Sequence, residues 1–370
     1  MVEIGDAMWR LQSTIGTRDL YQYLLASDDR DELLLIDTGT ASTPREVVIP
    51  ALRRLGVSER ALRLVVVTHP DVDHQGGLAA IVEVCPHAVA ACGFADRALV
   101  GDPEKLLHDR YQPYLSEHGL GYDREEERWI RANYGAPVEI DLTLSGGEVL
   151  AVGERELEVF HAPGHSAGHL VLLDRATDFL FSSDAIHWRG CPAVDGGLAL
   201  CPTYEEVDAY LASIELVERL APAEMHSGHW PMRSGAEVLA FTQESRAFVE
   251  GVDEVILARL SDPATLAELC DEVQLRIGPW DSAPKLLMFV VAGHLRRLAG
   301  RGTVEALAPT ATTRRYRIAP GAVRALQPPP KHLENGRLTV PPVERYSGPE
   351  MDPADREAAR PNPEISEGGE

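Results

Sequence analysis

Cysteine is scarce and poorly placed for cross-linking. The 370-residue chain has five, Cys85, Cys92, Cys191, Cys201 and Cys270, scattered and with no C-x-x-C pair. An odd count without paired spacing argues against a disulfide framework and against a thiolate zinc cage, and it fits a reducing compartment. Basic charge is also in short supply. Lys and Arg number 35 against 58 Asp and Glu, a formal net charge of −23. General attraction to nucleic acid or to an anionic membrane surface is therefore not expected, although local basic patches remain open. No apolar run approaches the roughly 20 residues of a membrane span. The opening "MVEIGDAMWRLQS" is acidic and broken by polar residues, unlike a signal peptide. No internal repeat of fixed short period is present. A cytoplasmic protein with no membrane partner is the expectation.

What is present is apolar content of 44%, enough over this length for one large α/β domain and a small second one. "AMWRLQS", "LYQYLLAS" and "ELLLIDTG" read as strands. "TPREVVIPALRRLG" has helical spacing, with Thr43 as its expected N-cap and Pro50 as a kink. "LRLVVVTH" is a continuous apolar run, the mark of a strand buried on both faces. From about residue 94 to 136 the pattern turns helical, charged and aromatic, an expected insertion over the sheet. Strand signals return in "EVLAVGERELEVFHAPGH", "LVLLD" and "DFLFSSD", followed by a helix near Tyr204–Leu220. Alternating strands and helices predict layered α/β architecture with loops converging on one edge.

Ligand chemistry concentrates at the strand ends. "VVVTHPDVDHQGG" places His69, Asp71, Asp73 and His74 within six residues, where a buried strand runs out. His and Asp suit zinc and similar divalent ions. One such turn is also compatible with an ordinary polar loop. Here a second strand is followed by "HAPGHSAGH" with His165, a third by Asp184 in "LFSSDAIHW", and a fourth by His229 in "EMHSGHWP". Four strand ends each deliver a metal-type ligand.

These motifs, in this order, resemble the metallo-β-lactamase-fold hydrolase superfamily over roughly residues 1–235. The family signature T-H-x-H-x-D-H, P-G-H-[TS]-x-G, an Asp after a strand and a late G-H is matched by "THPDVDH", "PGHSAG", "SSD" and "SGHWP". "LLLIDTG" fits as well. The resemblance implies an αββα sandwich and two divalent ions, zinc first, with manganese or iron as alternatives. The first ion would be held by His69, Asp71 and His165, the second by Asp73, His74 and His229, with Asp184 bridging. A water between the ions would be the nucleophile, and Asp73 is also assigned a catalytic role. Two cations lower the pKa of water and polarise the scissile bond.

Asp71 departs from the family, which usually has histidine there. A carboxylate oxygen at that position shifts preference towards harder ions such as manganese, or else Asp71 turns away and leaves the first site weak. Ser183 stands where glycine often precedes the bridging aspartate. Around these, His187, Tyr111 and Tyr114 are candidate substrate contacts, and Trp129 and Tyr134 share the insertion with them. Each of these aromatics has packing of the insertion on the sheet as its alternative role. His169 is expected to support the site, His226 to support a strand, and Cys191 and Cys201 to be incidental.

Beyond about residue 236, helix, helix, helix and two short strands ("TVEAL", "RRYRIA") have the layout of a winged helix, to about residue 319. That layout resembles the lactamase-beta-2-like branch. Residues 320–370, rich in proline and acid, are expected to be disordered. Arg296, Arg297, Arg301, Arg314, Arg315 and Arg317 cluster in the last helix and wing, as a phosphate-binding face or as partners for the acidic main domain. The leading reading is a metal-dependent hydrolase of a small-molecule thioester, lactone or other acyl ester. The alternatives are a metal-dependent endonuclease on RNA or DNA, and a binder with a degraded metal site. Self-association into a homodimer is compatible with the sequence.

Overall fold

The valine run behaves as its composition predicts: Leu62–Val67 is a strand whose last three residues are fully buried. It sits inside a seven-stranded sheet of order β1 (Val2–Gly5), β2 (Met8–Ile15), β3 (Arg18–Ala26), β4 (Leu33–Ile36), β5 (Leu62–Val67), β6 (Val89–Gly93) and β7 (Leu142–Leu144). The first four are joined as antiparallel neighbours, and β4, β5, β6 and β7 run parallel. Strands β8 (Val149–Val152), β9 (Arg155–His161), β10 (Leu170–Asp174) and β11 (Phe179–Ser183) begin a second sheet. A ribbon of β12 (Cys191–Pro192) and β13 (Leu198–Leu200) follows, then β14 (Glu224–Ser227) and β15 (Arg233–Ser234) complete that sheet in the order β15-β14-β11-β10-β9-β8. The computed structural model describes residues 1–281, 284–309 and 313–322, with the backbone of the short strand pair Leu333–Glu334 and Arg337–Leu338. From residue 323 on, the tail expected to be disordered lies otherwise outside the described residues.

Alternation along the strands builds the layers. Tyr23, Leu25, Leu34, Ile36 and Val66 of the first sheet meet Leu157, Val159, Leu170, Leu172 and Phe181 of the second. Their neighbours in sequence, such as Leu24, Leu35 and Val65, face the opposite way and pack on the helices Ile49–Leu55 and Leu78–Val84. The outer face of the second sheet is covered by the helix Val207–Leu220 and by the C-terminal helices Ala236–Arg259, Leu266–Arg276 and Leu287–Gly300. The fold is thus an αββα sandwich. The apolar cluster on that outer face runs without interruption across residue 235, joining Tyr210 and Ile214 to Phe248, Leu269 and Val291. Strands β16 (Ala264–Thr265), β17 (Val304–Ala306) and β18 (Arg315–Ile318) form a small antiparallel sheet beside these helices.

Two local expectations are corrected. Thr43 does not cap the helix that follows it; its hydroxyl accepts the Thr40 N–H at 3.1 Å instead. Pro50 does not sit in a plain kinked helix, because Pro44–Val48 is a wider π-type turn that runs into Ile49–Leu55. Proline has no N–H to close a normal turn, so the chain widens just before it. Thr265, by contrast, caps Leu266–Arg276 through a reciprocal pair with Glu268.

The arginines in the last helix and small sheet all find acids, most of them far off in sequence and one, Glu305, on the neighbouring strand. Arg296 pairs with Glu205 and Glu206, Arg297 with Asp208 and Asp253, and Arg301 with Asp208. Arg314 reaches Glu117, Arg315 reaches Glu268, and Arg317 reaches Glu305. Such half-exposed pairs contribute little stability, about 0–1 kcal/mol each. Their effect is to cancel the local basic patch.

Candidate functional site

The carboxyl ends of β4, β5, β11 and β14 all point to one edge, since β4 and β5 are parallel, as are β11 and β14. Ligand-bearing turns in α/β sheets collect at such an edge. Beyond β5 come His69, Asp71, Asp73 and His74; beyond β9 comes His165; beyond β11, Asp184; beyond β14, His229. All seven residues expected as metal ligands converge there.

They fall into two sets. In one, His74 Nε2 and His229 Nε2 are 3.2 Å apart, and His229 Nε2 is 3.3 Å from Asp73 Oδ2 and 3.5 Å from Asp184 Oδ2. His74 Nε2 is 3.7 Å from the same Asp184 oxygen. Four donors around an ion at about 2.1 Å would be separated by roughly 3.4 Å, so this set fits a divalent cation. The buried Asp184 Oδ1 has no hydrogen-bond partner, a cost that a cation or its water would offset.

The other set is built differently. Asp71 Oδ2 lies 2.9 Å from His165 Nε2 and 3.8 Å from His69 Nε2. Arg110, from the helical insertion, donates Nε to Asp71 Oδ1 at 2.8 Å and Nη2 to Asp71 Oδ2 at 3.0 Å. Its Nη1 donates to the His165 carbonyl at 2.8 Å, and Nη2 is 3.3 Å from His165 Nε2. Burial would raise the Asp71 carboxyl, but Arg110 and His165 hold it well below the usual carboxylate range. His69 Nε2 is buried without a hydrogen-bond partner.

A shell of polar groups orients the ligands. Asp37, at the end of β4, lies 2.9 Å from His74 Nδ1. It also accepts from Thr68 N at 2.8 Å, Thr68 Oγ1 at 2.9 Å and Ser183 Oγ at 2.9 Å. His229 Nδ1 is fixed by the Asp19 carbonyl at 2.7 Å. Burial opposes a proton on His74, yet the carboxylates of Asp184, Asp37 and Asp73 outweigh it and push its pKa up to about 10. Ser183 has φ of +43°, a left-handed conformation that explains why glycine suits this position. Its hydroxyl bond to Asp37 is what serine gains there. Gly228 is required by space: a Cβ would stand 2.4 Å from Asp184 Oδ1 and 2.6 Å from His74 Cε1.

The site opens into a cavity of about 360 Å³. Its wall takes Tyr111 and Trp129 from the insertion, His187 and Cys201 from the loops around β12 and β13, and Phe289 from the helix Leu287–Gly300. The His187 ring lies 4.6 Å from that of His165, with Nε2 2.8 Å from the Asp184 carbonyl. Tyr114, expected as a substrate contact, is not on this wall: it packs on Phe289 and its hydroxyl binds Arg296 at 2.8 Å. Tyr134 also turns inward, to the carbonyls of Leu99 and Val100. His169 stacks on His69 with ring centres 4.9 Å apart. Cys191 and Cys201 border the cavity, but burial pushes both thiols far above their ordinary value, so neither is a ready nucleophile.

Sequence reasoning missed Arg110 and the role of Asp37. The only signal for Arg110 was chemical: a carboxylate put in place of histidine at a buried position needs a counter-charge. Asp37 was visible in "IDTG", at the end of its strand.

Comparisons with known proteins agree with this geometry. The sequence model of the metallo-beta-lactamase superfamily matches residues 17–229. The chain is 32% identical to an acyl-coenzyme A thioesterase, MBLAC2, of Gallus gallus, over 59% of this chain and 74% of that protein. It is 27% identical to a hydroxyacylglutathione hydrolase of Chromohalobacter salexigens, over 49% of this chain and 53% of that protein. A metallo-beta-lactamase family protein from Thermus thermophilus has the same fold at a TM-score of 0.68 and 22% identity, covering 85% of this chain and all of that one.

Proposed function

The chain belongs to the metallo-beta-lactamase superfamily, and from that premise we propose that it is a metal-dependent thioesterase acting on an acyl thioester. The observation that carries the reading is the donor set His74, His229, Asp73 and Asp184, converging within 3.2–3.7 Å at the floor of a cavity with a largely apolar wall. Relatives named for thioester hydrolysis support the substrate class. Superfamily membership itself implies a hydrolase that binds divalent metal.

An ion held by Asp73, His74, His229 and Asp184 would supply Lewis acidity, lowering the pKa of water and polarising an acyl oxygen. The remaining work falls to the chain. Asp37 holds His74 in the tautomer that presents Nε2, and the Asp19 carbonyl does the same for His229. Burial would raise Asp73, but His229, His74 and Arg18 hold its carboxyl well below the usual range, so it is ionised. It is the carboxylate we assign to orient the attacking water, by accepting a hydrogen bond from it. Trp129, Ile130, Trp230 and Phe289 give the acyl chain an apolar surface and exclude water. Zinc is the ion that two imidazoles and two carboxylates suit first, with manganese and iron as alternatives.

No structural observation favours the nuclease alternative, since each arginine of the C-terminal cluster is paired with an acid. The test is hydrolysis of acyl-coenzyme A and acyl-glutathione thioesters, with lactones and single-stranded RNA in parallel, before and after chelation. Thioester turnover that chelation abolishes and metal restores is expected. Turnover of lactone or RNA with no thioester turnover would sink the reading.

A further inference from the structure

We propose that Arg110 stands in for the first metal ion, so that the chain binds one divalent ion per molecule and the fixed guanidinium supplies the second positive charge beside it. The inference rests on the hydrolase reading above for its chemistry, but its geometry is independent of substrate.

Three observations carry it. The first is contact. Arg110 Nη2 lies 3.0 Å from Asp71 Oδ2 and 3.3 Å from His165 Nε2, which are two of the three donor atoms of the first set. A guanidinium that already engages those atoms leaves an ion with His69 and only the oxygen that Asp184 would share from the other set.

The second is charge. His74, His229, Asp73 and Asp184 combine two neutral imidazoles with two carboxylates, a balance for a doubly charged ion. In the first set the single carboxylate, Asp71, is matched by the single charge of Arg110 through two hydrogen bonds. Only Asp184, already engaged by the other set, is left to offer negative charge to a second ion, and the permanent cation of Arg110 repels one.

The third is construction. Arg110 is itself buried, at 8% exposure, and is anchored by a further bond to the His165 carbonyl, so it is not a surface side chain that strayed inwards. The adjacent Tyr111 hydroxyl accepts the Val72 N–H at 3.0 Å and pins the insertion to the ligand-bearing turn. Arginine and aspartate therefore act as a matched substitution: a histidine ligand and an ion are exchanged for a carboxylate and a guanidinium. Arg110 borders the cavity and carries one N–H, on Nη1, beyond those engaged by Asp71 and His165. That N–H can donate to an acyl oxygen as negative charge develops there.

The experiment is metal counting on the full chain, stripped with chelator and reloaded with zinc, manganese or cobalt, then freed of excess ion. One ion per chain is expected for the wild type, with an uncoupled cobalt spin signal. The double variant Asp71→His with Arg110→Ala should take two ions, with spin coupling between cobalts. Two tightly held ions in the wild type would overturn this inference and leave the hydrolase reading standing. No ion at all would overturn both. If the double variant folds, by circular dichroism, and still takes one ion, Arg110 is not what bars the second. If it does not fold, Arg110→Gln on the otherwise unchanged chain decides the same point. A wild-type-like single ion with unchanged kcat in that variant would remove any part for Arg110 in turnover and overturn the proposal.

Discussion

Asp37 Oδ2 lies 2.9 Å from His74 Nδ1, and this contact ties the end of one strand to a ligand from the next. Asp37 does this while accepting three further bonds from Thr68 and Ser183. It therefore fixes a ring without touching the ion that the ring would bind.

Asp37→Asn is expected to weaken metal binding by roughly 10–100-fold, the usual cost of losing an outer partner of a ligating histidine. The amide group would present N–H to a ring nitrogen that needs an acceptor. Competition with a fluorescent chelator reads the change. Unaltered affinity would mean that His74 needs no help to hold its orientation.

Metal affinity should rise with pH. In the metal-free chain His74 is raised from 6.5 to about 10, so below that value an ion must displace its proton. The apparent association constant should then grow about tenfold per pH unit between pH 7 and 9, with one proton released per ion. The same shift has the opposite sign for the metal-free fold: the stability it lends is complete below pH 6.5 and is lost as pH rises through about 10. Chelator-buffered titrations at several pH values test the first statement, and a flat profile contradicts it.

Gly228→Ala should remove activity and bound metal together while the chain stays folded. The added methyl would sit 2.4 Å from Asp184 Oδ1, so the carboxylate must leave its place. Retention of one ion and normal turnover would show that Asp184 is not a ligand.

Arg110→Met alone should destabilise the fold by about 3–5 kcal/mol, because Asp71 would be left buried without its counter-charge. Adding Asp71→Asn should recover most of that loss, since the pair then disappears as a unit. Urea unfolding of the two single variants and the double variant gives the coupling. Additive losses would mean that the two side chains stabilise the fold independently.

The sandwich and the ligand turns were legible because both rest on local patterns. Val65, Val66 and Val67 are apolar without a break because the strand is covered on both faces there, and His69, Asp73, His74, His165, Asp184 and His229 lie in the turns just after strand ends. Arg110 was not legible. It lies 39 residues from Asp71 in a helical insertion without a motif, and only folding brings the two together. The fate of the arginine cluster was hidden for the same reason: Glu205, Asp208 and Glu117 belong to distant segments. Tyr111 and Tyr114 were equivalent on paper, and the rotation of one short helical turn sent the first to the cavity and the second to Phe289.

Lys285, Leu286 and Phe289 border the cavity although they lie beyond residue 229, where the match to the superfamily ends. Lys285 also meets Glu126 and Asp123 of the insertion, so the mouth of the chamber is bridged by two segments that supply no ligand from the strand ends. The wall of the chamber is thus drawn partly from stretches outside those that carry the strand-end His and Asp residues. Residues of this part of the wall can be exchanged while every strand-end His and Asp stays as it is, which makes it the natural place for a lineage, or an engineer, to alter what the chamber admits.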